Sequence, residues 1–195
     1  MNLHLLDIAH GDIKPVGPLL LMKELVAKPP CPQSNILISD SPPPHAMLAD
    51  FGSAWPLATP AEMPDEGELE ERGTPSFMAP ELLLPTKFGL EKTRPSKEAD
   101  VYAFGMTMYQ VLTGKRPFRP MRNAGIVRAV ILGERPAKPE NAEEVGMTDT
   151  LWNLLRKCWK EDRKRRPDIL QVRAEVHGIA YPNPLHFAIG IDDTA

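Results

Sequence analysis

Proline sets the first limit on this chain. Of its 195 residues, 22 are proline, about twice the roughly 5% of an average protein. Pro29, Pro30 and Pro32 form one cluster, Pro42, Pro43 and Pro44 a second, and Pro56, Pro60 and Pro64 a third. Each proline fixes its own φ, removes a backbone donor and pushes the residue before it out of the α region. The first half must therefore be built largely from turns, loops and short strands. Ile36-Leu37-Ile38 and Met47-Leu48-Ala49 are short apolar runs flanking the turn-rich Ser39–Pro44, and that pattern predicts a small hairpin. Residues 62–71 hold six acidic and no basic side chains, which reads as a solvated loop.

Helical signals take over after residue 95. Val101, Phe104, Gly105, Met108 and Leu112 follow helical spacing, with Ser96 as N-cap and Thr113-Gly114 as the stop. A second helix follows Asn123, with Ile126, Val127, Val130 and Ile131 as apolar positions and Gly133 as its end. A third carries Leu151, Leu154, Leu155 and Cys158 behind the cap candidates Thr148 and Asp149, and a fourth runs from Asp168 to Val176.

Bulk properties narrow the function classes. Hydrophobic residues make up 42% and charged residues 25%, close to globular averages, and the length suits one domain. The net charge of −3 gives no support for a nucleic-acid or anionic-membrane partner, which favours a basic excess. No apolar run approaches the roughly 18 residues of a membrane span. Asp7 breaks the apolar opening, and no basic n-region precedes it, so the start does not read as a signal peptide. Two cysteines, Cys31 and Cys158, are too few for a disulfide framework or zinc site and suit a reducing compartment. The expectation is a soluble, intracellular, cytoplasmic protein.

Five short motifs then occur in a fixed order between residues 10 and 167. His10-Gly11-Asp12-Ile13-Lys14-Pro15 resembles the catalytic loop of protein kinases, and Asp50-Phe51-Gly52 resembles their metal-binding tripeptide. Gly73-Thr74-Pro75-Ser76-Phe77-Met78-Ala79-Pro80-Glu81 resembles the end of a Ser/Thr-kinase activation segment. Asp100 sits where the family's central helix carries an aspartate, and Arg166-Pro167 after Cys158-Trp159 resembles the arginine that pairs with the Ala-Pro-Glu glutamate. Each motif alone is weak; the ordered set resembles the eukaryotic-type protein kinase family, Ser/Thr and tyrosine-kinase-like.

The resemblance implies a mainly α chain within an α+β family. It would be a kinase-like fold represented by its C-terminal lobe, a helical bundle with a small catalytic-loop hairpin, over residues 1–180. The N-terminal lobe would be absent, and residues 181–195 would form a tail. The activity implied is transfer of the γ-phosphoryl group of ATP to Ser/Thr hydroxyls of a protein substrate, with ATP and magnesium bound. Asp12 would orient the hydroxyl and accept its proton, and Lys14 would steady the transferring phosphate. Asp50 would hold magnesium as a hard oxygen ligand, with Asn35 the candidate for the second ion. Taken singly, Asp12 and Asp50 also read as loop residues, Lys14 as a surface lysine and His10 as a packed loop residue. Glu81 with Arg166, and Asp100, would be structural. Trp159 reads as core, and both cysteines as inert thiols.

Three departures qualify the resemblance. Only nine residues precede His10, and no Gly-x-Gly-x-x-Gly occurs in the sequence, so little ATP affinity is expected of this chain alone. The family's spacing puts the metal-binding asparagine at position 17, which is Gly17; Asn35 lies 18 residues further on. Removing Val16–Gln33 restores a regular loop. Valine codons begin GT and one glutamine codon is CAG, the two ends of a spliceosomal intron, so 16–33 reads either as a retained intron or as a surface insertion with a short Leu19–Ala27 helix. Last, Gly11 replaces the arginine that ordinarily holds a phosphorylated activation segment, although hydroxyls remain at Ser53, Thr59, Thr74 and Ser76. A kinase-derived module that binds without catalysing is the alternative reading.

Overall fold

The computed structural model describes residues 3–15, 35–39, 42, 45–57, 74–92 and 94–182. The 16–33 insertion with its expected helix, the acidic block at 62–71, Cys31, Thr59 and residues 183–195 lie outside the described residues.

The short runs of the first half form two antiparallel pairs. Strands β1 (Ile8–Ala9) and β4 (Trp55–Pro56) pair Ile8 with Pro56, an association the sequence did not suggest. Strands β2 (Ile36–Ile38) and β3 (Ala46–Leu48) form the expected hairpin, with Ile36 opposite Leu48. The second strand lies one residue earlier than its apolar run. Ala49 instead donates its N–H to the Asn35 carbonyl at 2.9 Å, just beyond the ladder.

Five helices carry the rest of the described chain. Helix α1 (Pro80–Leu83) begins with proline, whose fixed φ suits a first turn. Helix α2 (Lys97–Thr113) is capped at Ser96, whose Oγ accepts the Ala99 N–H at 3.1 Å, and ends at Gly114 in the left-handed region. Helix α3 (Asn123–Ile131) buries Ile126, Ala129 and Val130. Helix α4 (Asp149–Cys158) is capped by Thr148 and buries Leu151, Leu154, Leu155 and Cys158, the four residues its periodicity picks out. Helix α5 (Ile169–Ala180) starts with a capping box between Asp168 and Gln171 and runs four residues past the expected Val176. None of the described helices is long and apolar enough to cross a membrane.

Helix α2 is the centre of the core. It packs on α4, which packs on α5, while α1 packs on α3. Here the expected stripe needs correction. Val101 and Gly105 are buried, but Phe104, Met108 and Leu112 only flank the core, and the deeply buried face is Ala99, Tyr102, Ala103, Met106, Thr107 and Gln110. Asp100, Thr107 and Gln110 place polar side chains inside a helix covered on more than one side, so hydrophobicity alone misread its orientation. A Cβ on Gly105 would lie 2.6 Å from the Trp159 indole nitrogen, so this glycine sets how closely α2 approaches the end of α4. Trp159 is core, as expected, at 2% exposure.

Candidate active site

The loop after β1 is held from beneath by one carboxylate. Asp100, 3% exposed in the first turn of α2, accepts the His10 N–H at 2.7 Å and the Gly11 N–H at 2.9 Å. His4 adds a third bond, 2.9 Å from the same carboxylate. Two backbone donors on one buried acid fix where the chain turns toward Asp12. Gly11 itself has φ +80, and a Cβ there would sit 2.6 Å from the Ser53 carbonyl oxygen and 3.1 Å from Pro95. The position that resembles an arginine site is thus packed against backbone.

His10 joins this loop to the hairpin. Its ring is fully buried; Nε2 donates to the Ala49 carbonyl at 3.1 Å, and Nδ1 accepts the Asp12 N–H at 3.4 Å. These roles assign the ring proton to Nε2. The Phe51 ring lies against it, with centroids 5.2 Å apart.

Asp12, Lys14 and Asn35 are brought together. The Lys14 ammonium donates to Asp12 Oδ2 at 2.7 Å, and both side chains are 15% exposed. Asn35, 2% exposed, donates through Nδ2 to the same oxygen at 2.8 Å and to the Asp12 carbonyl at 2.7 Å. Its own N–H donates to the Lys14 carbonyl at 3.3 Å, so Lys14 and Asn35, on either side of the 16–33 insertion, are bonded neighbours. Both amide hydrogens of Asn35 are used, and its Oδ1 accepts nothing among the described residues.

Asp50 follows from the hairpin geometry. Asn35 enters β2 and Ala49 leaves β3 directly opposite it, so Asn35 and Asp50 stand at the same end of the ladder. Asp50 takes φ +60, uncommon for a residue with a Cβ, and its Oδ1 accepts the Gly52 N–H at 3.3 Å. The described residues contain no group of three or more His, Cys, Asp or Glu placed so that together they could hold a metal ion. What they offer at this end of the ladder is one exposed carboxylate, Asp50, and one amide oxygen, Asn35 Oδ1, that accepts nothing among the described residues. That donor set fits magnesium, which keeps water and phosphate oxygens and takes only one or two protein ligands.

Glu81 and Arg166 lie apart from this cluster, in the core. The guanidinium forks onto both carboxylate oxygens at 2.6 and 2.8 Å, and the two residues are 1% and 7% exposed. Arg166 also donates to the carbonyls of Lys160 and Glu98 and stacks over Tyr102 at 5.1 Å. Burial pushes the Cys158 thiol up to about 12, which matches the inert thiol expected there. Sequence reasoning missed His4, Ala49 and Pro95 as supports. A histidine six residues before the loop motif was a visible signal; main-chain groups advertise nothing.

The protein kinase domain is the family that matches, over residues 31–176. Asn35, Asp50, Glu81, Asp100 and Arg166 fall inside that stretch, and Asp12 and Lys14 lie before it. The mouse (Mus musculus) ankyrin repeat and protein kinase domain-containing protein 1 is 30% identical over 176 residues, 89% of this chain and 22% of that protein. The RGS domain-containing serine/threonine-protein kinase A of Dictyostelium discoideum is 25% identical over 181 residues, 93% of this chain and 13% of that protein. The dual specificity protein kinase shkC of the same organism is 28% identical over 141 residues, 71% of this chain and 25% of that protein. This chain therefore spans a quarter or less of each of these relatives.

Proposed function

Because this chain belongs to the protein kinase family, we propose that it supplies the C-terminal lobe of a protein serine/threonine kinase. In the complete protein it moves the γ-phosphoryl group of ATP to a Ser or Thr hydroxyl of a protein substrate. One observation carries the reading: Lys14 and Asn35 donate to the same carboxylate oxygen of Asp12 although the 18 residues of 16–33 separate Asn35 from the other two.

The roles follow from which atoms remain available. Oδ2 of Asp12 takes both side-chain donors, which leaves Oδ1 to receive the proton of an incoming hydroxyl. The hydroxyl oxygen then forms the new bond to phosphorus as the bond to the ADP oxygen breaks. Lys14, within reach of Asp12, places positive charge beside the moving phosphoryl group. Asn35 Oδ1 and the Asp50 carboxylate are the oxygens that would hold magnesium, which when bound offsets phosphate charge. Most of the rate in such a site comes from positioning and charge, so the hydrogen bonds that fix Asp12 matter as much as its basicity.

The test is Asp12→Asn in the full-length gene product, assayed for transfer from γ-labelled ATP to Ser/Thr peptides. We expect a loss of about 10²–10⁴-fold, the usual range for a positioned base, with thermal unfolding unchanged. Equal activity in the variant would remove Asp12 from the chemistry. Gly11 and the insertion favour the second reading, a kinase-derived binding module; absence of transfer in the full-length wild-type protein would select it.

A further inference from the structure

The loop that joins α2 to α3 carries an unbalanced charge beside the candidate site. From Lys115 to Arg122 the loop holds four basic and no acidic residues, in a chain whose net charge is −3. Arg116 anchors this loop. Its Nε donates to Ser76 Oγ at 3.0 Å, and its guanidinium also donates to Asn123 at 2.8 Å. Ser76 is fully buried and sits between Thr74 and Phe77. Thr74, Phe77 and Met78 line the same small cavity as Asp12. The loop is therefore tied to the wall of the cavity that holds the proposed base.

Its other cations are unused. Lys115, Arg119 and Arg122 are exposed, and among the described residues none of them bonds to a carboxylate. Several lysines elsewhere on the described surface do meet carboxylates, although Arg94, Arg156, Lys164, Arg165 and Arg173 are exposed without one among the described residues. Lys87 pairs with Glu161, Lys97 with Asp7, Lys138 with Asp149 and Lys157 with Glu175. A second basic run, 156–166, is partly neutralised by Glu161 and Asp162 and by the buried Arg166 pair.

We propose that this loop selects the substrate: Lys115, Arg119 and Arg122 receive acidic side chains flanking the phosphoacceptor, so the substrate class is an acidic Ser/Thr segment of a protein. The inference rests on the kinase reading for where the acceptor lies. Arginine forks match carboxylates in pairs, and an open field of one sign speeds encounter while repelling basic segments.

The experiment reads binding, without ATP, on the whole 195-residue chain. Fluorescein-labelled peptides with a central serine flanked by Asp/Glu or by Lys are titrated by anisotropy at low and near-physiological salt. The acidic peptide is expected to bind about tenfold or more tighter, with the difference shrinking as salt rises. Arg119→Glu with Arg122→Glu should erase that preference, whereas Arg163→Glu with Lys164→Glu, on the other basic run, should preserve it; circular dichroism checks that both variants fold. Equal binding of the two peptides would overturn the proposal, as would equal loss in the control variant. So would a DNA duplex competing as well as the acidic peptide, since the loop would then be a general polyanion surface. A chain that transfers no phosphate but binds acidic peptides removes only the kinase reading; an active full-length enzyme whose chain prefers the lysine peptide removes only this one.

Discussion

Arg166 has no charge left over for solvent. Its fork holds Glu81, and its remaining donors reach backbone carbonyls. Removing one partner strands the other charge in the core, so Glu81→Gln and Arg166→Ala should each cost about 3–5 kcal/mol. Urea denaturation would show this as a lower midpoint, and a loss below about 1 kcal/mol would mean that water reaches the pair. Protonation makes a second prediction at this scale. Burial raises Cys158 from 9.0 and Tyr102 from 10.0, each to about 12. Both are neutral when protonated. Below pH 9 the native and unfolded chains hold the same protons, and this stabilisation is complete. Above it the unfolded chain ionises first, so stability falls from about pH 9 toward 12. Denaturation midpoints at pH 8 and 11 test the sign, and an unchanged midpoint contradicts it. Motif order pointed to Glu81, Arg166 and Asp100 because their side chains are diagnostic. Ala49 escaped because it acts through its backbone N–H and carbonyl.

At the scale of elements, α4 was legible because one face is apolar and the other solvated, so its period survives in the sequence. Helix α2 was legible in its ends but not in its orientation. Its caps are local chemistry, whereas its facing depends on neighbours from distant parts of the chain. The paired strands β1 and β4 are two residues each, too short for any periodicity. Gly105 shows how packing overrides propensity. Alanine in a helix gains about 1 kcal/mol over glycine. Here its Cβ would meet the Trp159 ring at 2.6 Å and Cys158 at 3.0 Å, in a core where overpacking costs about 1–3 kcal/mol. Gly105→Ala should therefore lower the melting temperature; a rise would show that Trp159 can swing aside.

Across the whole molecule, the candidate site brings together residues that lie far apart in the sequence. Lys14 and Asn35 are hydrogen-bonded neighbours although 20 residues lie between them. Loop closure depends only weakly on length, and Lys14 and Asn35 are already within hydrogen-bond reach, so a chain joining Pro15 to Ser34 can close the same turn. A chain lacking 16–33 should keep its circular dichroism spectrum and melt at the same or a higher temperature. Loss of cooperative melting would show that the segment supports the fold. The motif spacing exposed this segment, but its fit to the site became visible only when Asn35 was seen bonded to Asp12.

The contact at position 11 also bears on what the loop can accept there. The Ser53 carbonyl fills the space where the first carbon of any side chain would go. An arginine placed at position 11 would arrive in a seat already taken. Seating it requires the segment after Phe51 to shift first, so whatever the added charge offers comes only after that rearrangement.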